Sequence, residues 1–525
     1  MNGVSFQTVL NLLPEMILMG AAVLIYLFGA FATGRRVWSV LATVSLATAA
    51  IALWQQPDAA TGFSGPLVRD GMTSQFRWLT LVLGFLFLLL TSRRTASELA
   101  SEFVGSLLLL LSGMMVVVGA GDLLLMFLGL ELVSIPTYIL LYIGHRKRES
   151  QEATVKYFYL SIVSSAILLY GFSFVFGISG STSLHSIHAA LTSMPNSAGL
   201  LPLGGLAMVL VFAGLAFKIA AVPFHFYAPD VYQGTTHPNA ALLAVAPKIV
   251  GVIALTRITL LAMPQLGEYG VRIAMILAVL TMTVGNVLAL WQINIRRLLA
   301  YSSIAHAGYM LVGLAVAFES ASGSPQGLGP VLFYLTVYSL ATIGSFACLS
   351  AASDGKHPLE TTHDAAGLAR RHPIVAALFA LFFLTLAGIP PAMAGFWGKF
   401  SIFYDAIRTA QGTDAQNLFI ALAVIGMLNA VIAAAYYLRV VAAMYFRPAD
   451  SMERADGEPG AFTAAVLACG LVLVIGFAPA VIADPSNDSA IGAAKSHQTA
   501  MGTMSGDSPL ATWATNGEDA SLPAN

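Results

Sequence analysis

A few ionisable residues stand inside runs that are otherwise almost free of charge. Glu131 lies in MFLGLELVSIPTYIL, Lys218 in FKIAAVPFHFYAPDVY, Lys248 in LLAVAPKIVGVIAL, His306 in AYSSIAHAGYM and Lys399 in LAGIPPAMAGFWGKF. Lys156 stands near the start of another run, in QEATVKYFYL. A lysine at the centre of a membrane helix costs about 2.5–3.5 kcal/mol on insertion scales. A single Glu–Lys pair would serve as a structural ion pair. Glu131, Lys218, Lys248 and Lys399 together hold more amines than one carboxylate can neutralise, so the set points to transfer of charge.

Burial disfavours the charged form of an amine, and a nearby carboxylate restores it. Glu131 close to Lys218 would hold a proton on the amine, and moving one partner away would release it. A change of about 4 kcal/mol in proton affinity, roughly three pH units, matches the cost of moving one charge at about 2.3 kcal/mol per 100 mV. Arginine cannot do this, because it does not give up its proton. The arginines mostly fall between the apolar runs, and lysines hold their middles.

Some neighbours have plainer readings. Lys156 can snorkel to the membrane interface. His306 fits a hydrogen-bonded core position as well as an auxiliary proton site. His225 and His237 flank a break and a turn, where satisfying loose backbone suits them, with His225 a possible auxiliary site. Tyr334 and Tyr338 read as helix-packing residues.

The positioning elements follow from composition. The chain has 525 residues, 57% hydrophobic and only 10% charged, against about 25% charged in a soluble domain. Apolar runs of membrane-spanning length recur throughout, giving an all-α polytopic membrane protein with about fourteen spans. The opening run has no basic leader or small-residue cleavage site and reads as a retained helix. Basic residues gather in loops after odd-numbered spans, such as Arg35 and Arg36, Arg93 and Arg94, Arg146 to Arg148, and Arg296 and Arg297. By the positive-inside rule both termini then lie on the non-cytoplasmic side.

Pro223 and Pro229 interrupt the seventh run, and Pro390 and Pro391 the twelfth. Proline removes a backbone donor and clashes with the preceding turn, so both helices should break. Freed backbone at membrane depth must face protein or water. An offset of about five spans makes the broken helices antiparallel, as in two inverted five-helix repeats, an arrangement that marks transport routes. The expected organisation is an N-terminal segment 1–100, repeats over 101–262 and 263–448, a loop and last span over 449–485, and a disordered polar tail over 486–525.

Other chemistry is excluded. Cys348 and Cys469 are the whole cysteine complement, too few for an iron–sulfur cluster and read as packing residues. No phosphate-binding or dinucleotide fingerprint occurs, no metal spacing is present, and a net charge of −1 without a basic stripe leaves nothing for nucleic acid.

Five stretches carry a resemblance. RESQEATVKYFYLSIVSSAILLYG, FHFYAPDVYQG, LLAVAPKIVG, GNVLALWQINIRRLLAYSSIAHAGYM and LAGIPPAMAGFWGKF together resemble the subunit N family of bacterial respiratory complex I. Its members are antiporter-like membrane proteins of the proton-pumping NADH:quinone oxidoreductase. The resemblance implies a bacterial inner-membrane subunit without cofactors of its own. NAD, FMN, iron–sulfur clusters and quinone would belong to partner subunits, and the contacts would be other membrane-arm subunits and lipid. It implies proton-translocating roles for Glu131, Lys156, Lys218, Lys248 and Lys399. Three features depart from the family: THPNAALLAV replaces the usual APTPVTAF-like run, GIPPAMAGF is one residue longer, and the polar tail is long. A secondary cation/proton antiporter subunit of the same fold and a purely structural scaffold are the competing readings.

Overall fold

The computed structural model describes residues 6–31, 34–56, 62–64, 66–91, 97–144, 148–193, 200–320, 326–354, 358–390, 393–409, 411, 415–448 and 457–504. In hydrocarbon an apolar run has no partner for its backbone but itself, so it closes into a helix. Among the described residues eleven helices are long and apolar enough to cross a membrane, and three shorter apolar helices accompany them.

The principal helices are α1 (Leu13–Gly29), α2 (Arg35–Trp54), α3 (Gly71–Thr91), α4 (Ala100–Val118), α5 (Leu123–Gly144) and α6 (Arg148–Ser179). They continue as α7 (Leu200–Lys218), α8 (Tyr227–Gly234), α9 (His237–Thr256), α10 (Gly267–Leu290), α11 (Ile295–Glu319) and α12 (Leu328–Ala351). The series ends with α13 (Pro373–Ala387), α14 (Met393–Arg408), α15 (Gln416–Phe446), α16 (Pro459–Phe477) and α17 (Ala480–Met504). A short antiparallel hairpin, Gly62–Ser64 with Leu67–Arg69, sits at one end of the bundle.

The apolar windows of α9, α11 and α12 are wholly buried, so these three helices form the centre. The rim helices α2, α6, α10 and α15 turn large apolar side chains such as Ile51, Tyr159, Ile276 and Val431 outward. Such a surface suits lipid or neighbouring helices, not water. Small residues bring the rim close to the centre: a Cβ on Gly308 of α11 would lie 2.5 Å from the Met282 side chain of α10.

Both expected breaks are present. The first chain of turns stops at Lys218, and α8 begins at Tyr227; the second stops at Ala387, and α14 begins at Met393. The two ends close in the same way. Ala221 N–H donates to Ala216 O and Ala220 N–H to Phe217 O; Ile389 N–H donates to Leu384 O and Gly388 N–H to Thr385 O. This is the Schellman cap, which needs a left-handed residue after the helix. Gly388 fills it with φ +78°, but the first break uses Ala220 at φ +57°. For a residue with a Cβ that conformation costs about 1–2 kcal/mol. The start of α9 is settled by Thr236, whose Oγ1 accepts from Asn239 N–H at 3.3 Å, with Pro238 in the first turn.

The expectation of a disordered polar tail from Ser486 is overturned for its first part, which continues α17 to Met504. Ser486, Ser489 and Ala490 are buried. Gln75 of α3 donates to Ser486 Oγ at 2.8 Å and accepts from Ser489 Oγ at 3.3 Å. Small side chains at helical spacing let this helix lie close against α3, without the large apolar face that sequence patterning seeks. Residues 505–525, Pro391, Arg93, Arg94, Arg146 and Lys147 lie outside the described residues.

Candidate functional site

At one end of the bundle, α6, α8 and α11 meet around an open cleft of about 510 Å³ lined by Glu149, Glu152, Lys156, Asp230, Arg296 and Glu360 among others. Lys156 pairs with Glu152 at 2.8 Å and with Asp230 at 3.2 Å. Asp230 also takes Arg297 at 2.7 Å, and Arg296 pairs with Glu360 at 3.0 Å. Lys156 thus sits half-exposed at the mouth of the bundle, as snorkelling requires, and apart from the buried amines.

Deeper along α6, serines carry the polar contacts. Lys218 donates to Ser134 Oγ at 2.7 Å and Ser161 Oγ at 3.2 Å. Half-buried Glu131 accepts from Ser165 Oγ at 2.5 Å. Glu131 and Lys218 make no direct ion pair, and each rests on serine hydroxyls instead. Ser134 follows Glu131 by one turn of α5, and Ser165 follows Ser161 by one turn of α6, so these two helices set three hydroxyl groups around Glu131 and the end of α7 that bears Lys218. The break itself is tied from outside. Tyr227 Oη donates to Phe217 O at 3.0 Å, and Val222 N–H donates to Thr281 Oγ1 of α10 at 3.0 Å. His225 is buried in the break, its ring 4.7 Å from that of Phe226.

Gly251, one turn beyond Lys248, lets α9 pack closely on the end of α7: a Cβ there would lie 3.3 Å from Lys218 Cβ. Lys248 is buried in α9 beside Pro247. Its Nζ donates to the Ser303 carbonyl and to Ser303 Oγ at 2.7 Å, and lies 3.3 Å from Tyr338 Oη. Tyr338 Oη lies 2.7 Å from Ser303 Oγ, and its ring centroid is 4.5 Å from the amine.

His306, one turn after Ser303, continues the chain. Its Nδ1 lies 2.5 Å from Tyr334 Oη and its Nε2 3.1 Å from Tyr437 Oη. Tyr437 Oη in turn bonds Ser302 Oγ. Tyr334 and Tyr338, read from sequence as packing residues, thus carry their hydroxyls into the polar chain. Tyr334 packs on Gly398, beside Lys399.

Lys399 ends the series. It is buried, and its Nζ donates to Leu386 O at 2.8 Å and Ala387 O at 2.9 Å. These are the loose carbonyls at the end of α13, where a positive charge also meets the negative end of the helix dipole. The Tyr309 ring lies beneath the amine at 4.9 Å. Tyr309 Oη accepts from Asn286, which also reaches Asn429 and Tyr436.

Sequence reading missed the partners. Ser134, Ser161, Ser165, Ser303 and Tyr437 gave no sign of their own, although each serine stands one turn from another member of the chain. It also missed two buried ion pairs, both far from the cleft. Arg257, just beyond α9, holds Asp70 through both oxygens at 3.1 Å, the Val118 carbonyl at 2.8 Å and Thr73 Oγ1 at 2.8 Å. Arg77 pairs with Glu15 at 2.6 Å. Each of these pairs fastens the N-terminal helices to the bundle or to one another.

The chain was compared with known proteins. A family model described as "NADH:quinone oxidoreductase/Mrp antiporter, TM" matches residues 120–428. NADH-quinone oxidoreductase subunit N of Rhodospirillum rubrum is 35% identical over 489 residues, 91% of this chain and 96% of that one. The protein of the same name from Methylobacterium nodulans is 38% identical over 445 residues, 84% of this chain and 88% of that one. A chain of respiratory complex I from Thermus thermophilus superposes with a TM-score of 0.73 at 32% identity, covering 90% of this chain and 98% of its own. A chain of the Mrp complex from Dietzia shares the fold, with a TM-score of 0.78 at 20% identity over 93% of this chain and 99% of its own.

Proposed function

The chain belongs to the NADH-quinone oxidoreductase subunit N family, and from that premise we propose that it carries protons through the membrane arm of a proton-pumping NADH:quinone oxidoreductase. The observation that carries this reading is the setting of its buried amines. Lys218, Lys248 and Lys399 each rest on hydroxyls or carbonyls rather than on a carboxylate. Such an amine loses little when it gives up its charge, whereas a buried ion pair would be held in place.

The proposed route runs from Lys218 to Lys248, through Ser303, Tyr338 and His306 with Tyr334, to Lys399. Glu131 acts on Lys218 from beyond the serines, so that a shift of α5 against α6 alters the field at the amine without breaking a salt bridge. Lys399 has a second task. While protonated it caps α13, and on giving up its proton it loses both the charge and a donor that hold it there. Lys156 belongs to the mouth of the route, where Asp230 and Glu152 gather charge.

The finer architecture is part of the same proposal. Eleven long and three shorter apolar helices supply fourteen crossings, with inverted repeats over residues 101–262 and 263–448. Arg296 and Arg297 at the cleft end support a cytoplasmic side for it in a bacterial inner membrane, with both termini opposite. Partner subunits hold NAD, FMN, the iron–sulfur clusters and quinone, and this chain performs no redox step.

The test is NADH-driven proton uptake in vesicles, comparing wild type with Lys218→Ala at equal content of assembled complex. The variant should oxidise NADH in uncoupled membranes yet lose most proton uptake; normal uptake would remove Lys218 from the route. The alternative of a secondary cation/proton antiporter rests on the fold shared with the Mrp chain. Cation exchange by the purified chain alone would favour it.

A further inference from the structure

The first break carries a conflict that the second does not. The same cap closes both helix ends, yet the left-handed position holds Ala220 at the first and Gly388 at the second. An alanine persists there only when its surroundings leave no alternative. Two groups from outside the cap supply that constraint, Tyr227 on the Phe217 carbonyl and Thr281 on the Val222 amide. Tyr227 belongs to the same broken segment. Thr281 comes from α10, in the other half of the bundle, and is wholly buried.

We propose that Thr281 is a positioning residue for Lys218: its hydroxyl accepts the Val222 amide and holds the strained break in the form that points the amine at Ser134 and Ser161. Without that acceptor the Val222 N–H is buried and unpaired, since Pro223 follows it and no helix turn continues. The break then relaxes, Ala220 leaves the left-handed region, and Lys218, two residues before it, turns with the end of α7. The neighbouring residue on α10, Met282, packs against Gly308 of α11, so one turn of α10 touches both the break and the helix that bears His306. Thr281 is thereby the direct hydrogen bond from the second half of the bundle to the break that aims the first amine.

The inference rests on the role proposed for Lys218, and the experiment separates the two. Proton uptake and NADH oxidation are measured on the same vesicles, at equal content of assembled complex. The variants are Thr281→Val, Thr281→Ser, Thr281→Cys, Thr281→Val with Ala220→Gly, and Lys218→Ala. Losing a buried acceptor shifts the balance between held and relaxed forms by roughly five- to thirtyfold. Thr281→Val should therefore lose most proton uptake while uncoupled NADH oxidation persists. Thr281→Ser should restore it, and Ala220→Gly should recover part of it, because glycine takes the left-handed position without strain. If the valine variant does not assemble, the Ser and Cys variants, close in size but unequal as acceptors, decide the matter. Wild-type uptake in Thr281→Val or Thr281→Cys, or equal loss in Thr281→Ser, overturns the role of Thr281 when Lys218→Ala is inactive. Normal uptake in Lys218→Ala overturns the role of Lys218 itself.

Discussion

Lys218 and Glu131 rest on separate serines rather than on each other: the amine donates to Ser134 at 2.7 Å and to Ser161 at 3.2 Å, and the carboxylate accepts from Ser165 at 2.5 Å. A direct salt bridge would fix both groups in one geometry. Hydroxyls can donate or accept, so they solvate the amine in either protonation state. The pair can then influence each other without locking.

Lys248→Arg tests whether charge or proton release matters at the next amine. Arginine keeps a positive charge beside Ser303 and Tyr338 but does not give up its proton. NADH-driven uptake should fall to a small fraction of wild type at equal content of complex. Full uptake would mean that a fixed charge suffices there.

Tyr338→Phe removes one hydroxyl beside both Lys248 and Ser303 and keeps the ring beside the amine. One neutral hydrogen bond contributes about 1 kcal/mol, so uptake should fall roughly fivefold. Thermal stability of the purified complex should change little, and the contrast between the two readings is the check. An unchanged uptake rate would make Tyr338 a packing residue after all.

The Asp70–Arg257 pair predicts a stability effect with no direct part in proton transfer. Asp70→Ala leaves a fully buried guanidinium without its counter-charge, a loss of about 3–5 kcal/mol. The amount of assembled complex and its thermal midpoint should both drop. Replacing both residues together, Asp70→Leu with Arg257→Met, should regain most of the loss, because an apolar pair needs no partner.

Gly395→Ala should disturb Lys399 by sterics alone. A Cβ at Gly395 would lie 1.7 Å from the Thr385 carbonyl oxygen, so α13 and α14 must move apart. Overpacking of this kind costs about 1–3 kcal/mol, and it separates Lys399 from Leu386 and Ala387. Lower proton uptake with a lowered thermal midpoint is expected, and wild-type values in both would show that the helices separate freely.

The apolar runs made most of the fold legible, because length and hydropathy alone decide where a chain can cross a membrane. Pro223 and Pro390 marked the two breaks by the same local logic. What sequence could not reveal was pairing at a distance. Asp70 and Arg257 lie far apart along the chain, and Arg257 stands at the edge of an apolar run. Ser134, Ser161 and Ser303 are ordinary in membrane helices, where a hydroxyl can bond its own backbone, so nothing in their type marks them as partners of an amine. The stretch from Ser486 failed for another reason: its small, polar residues look disordered until α3 supplies their hydrogen bonds.

Lys399 leans on the main chain, and that has an evolutionary corollary. No point substitution can delete the oxygens of Leu386 and Ala387, and both come before the prolines of the GIPPAMAGF stretch. The amine's anchorage is therefore indifferent to which side chains line the loop. A lineage can gain or lose a residue after Ile389 and still inherit the same docking point for its last carrier.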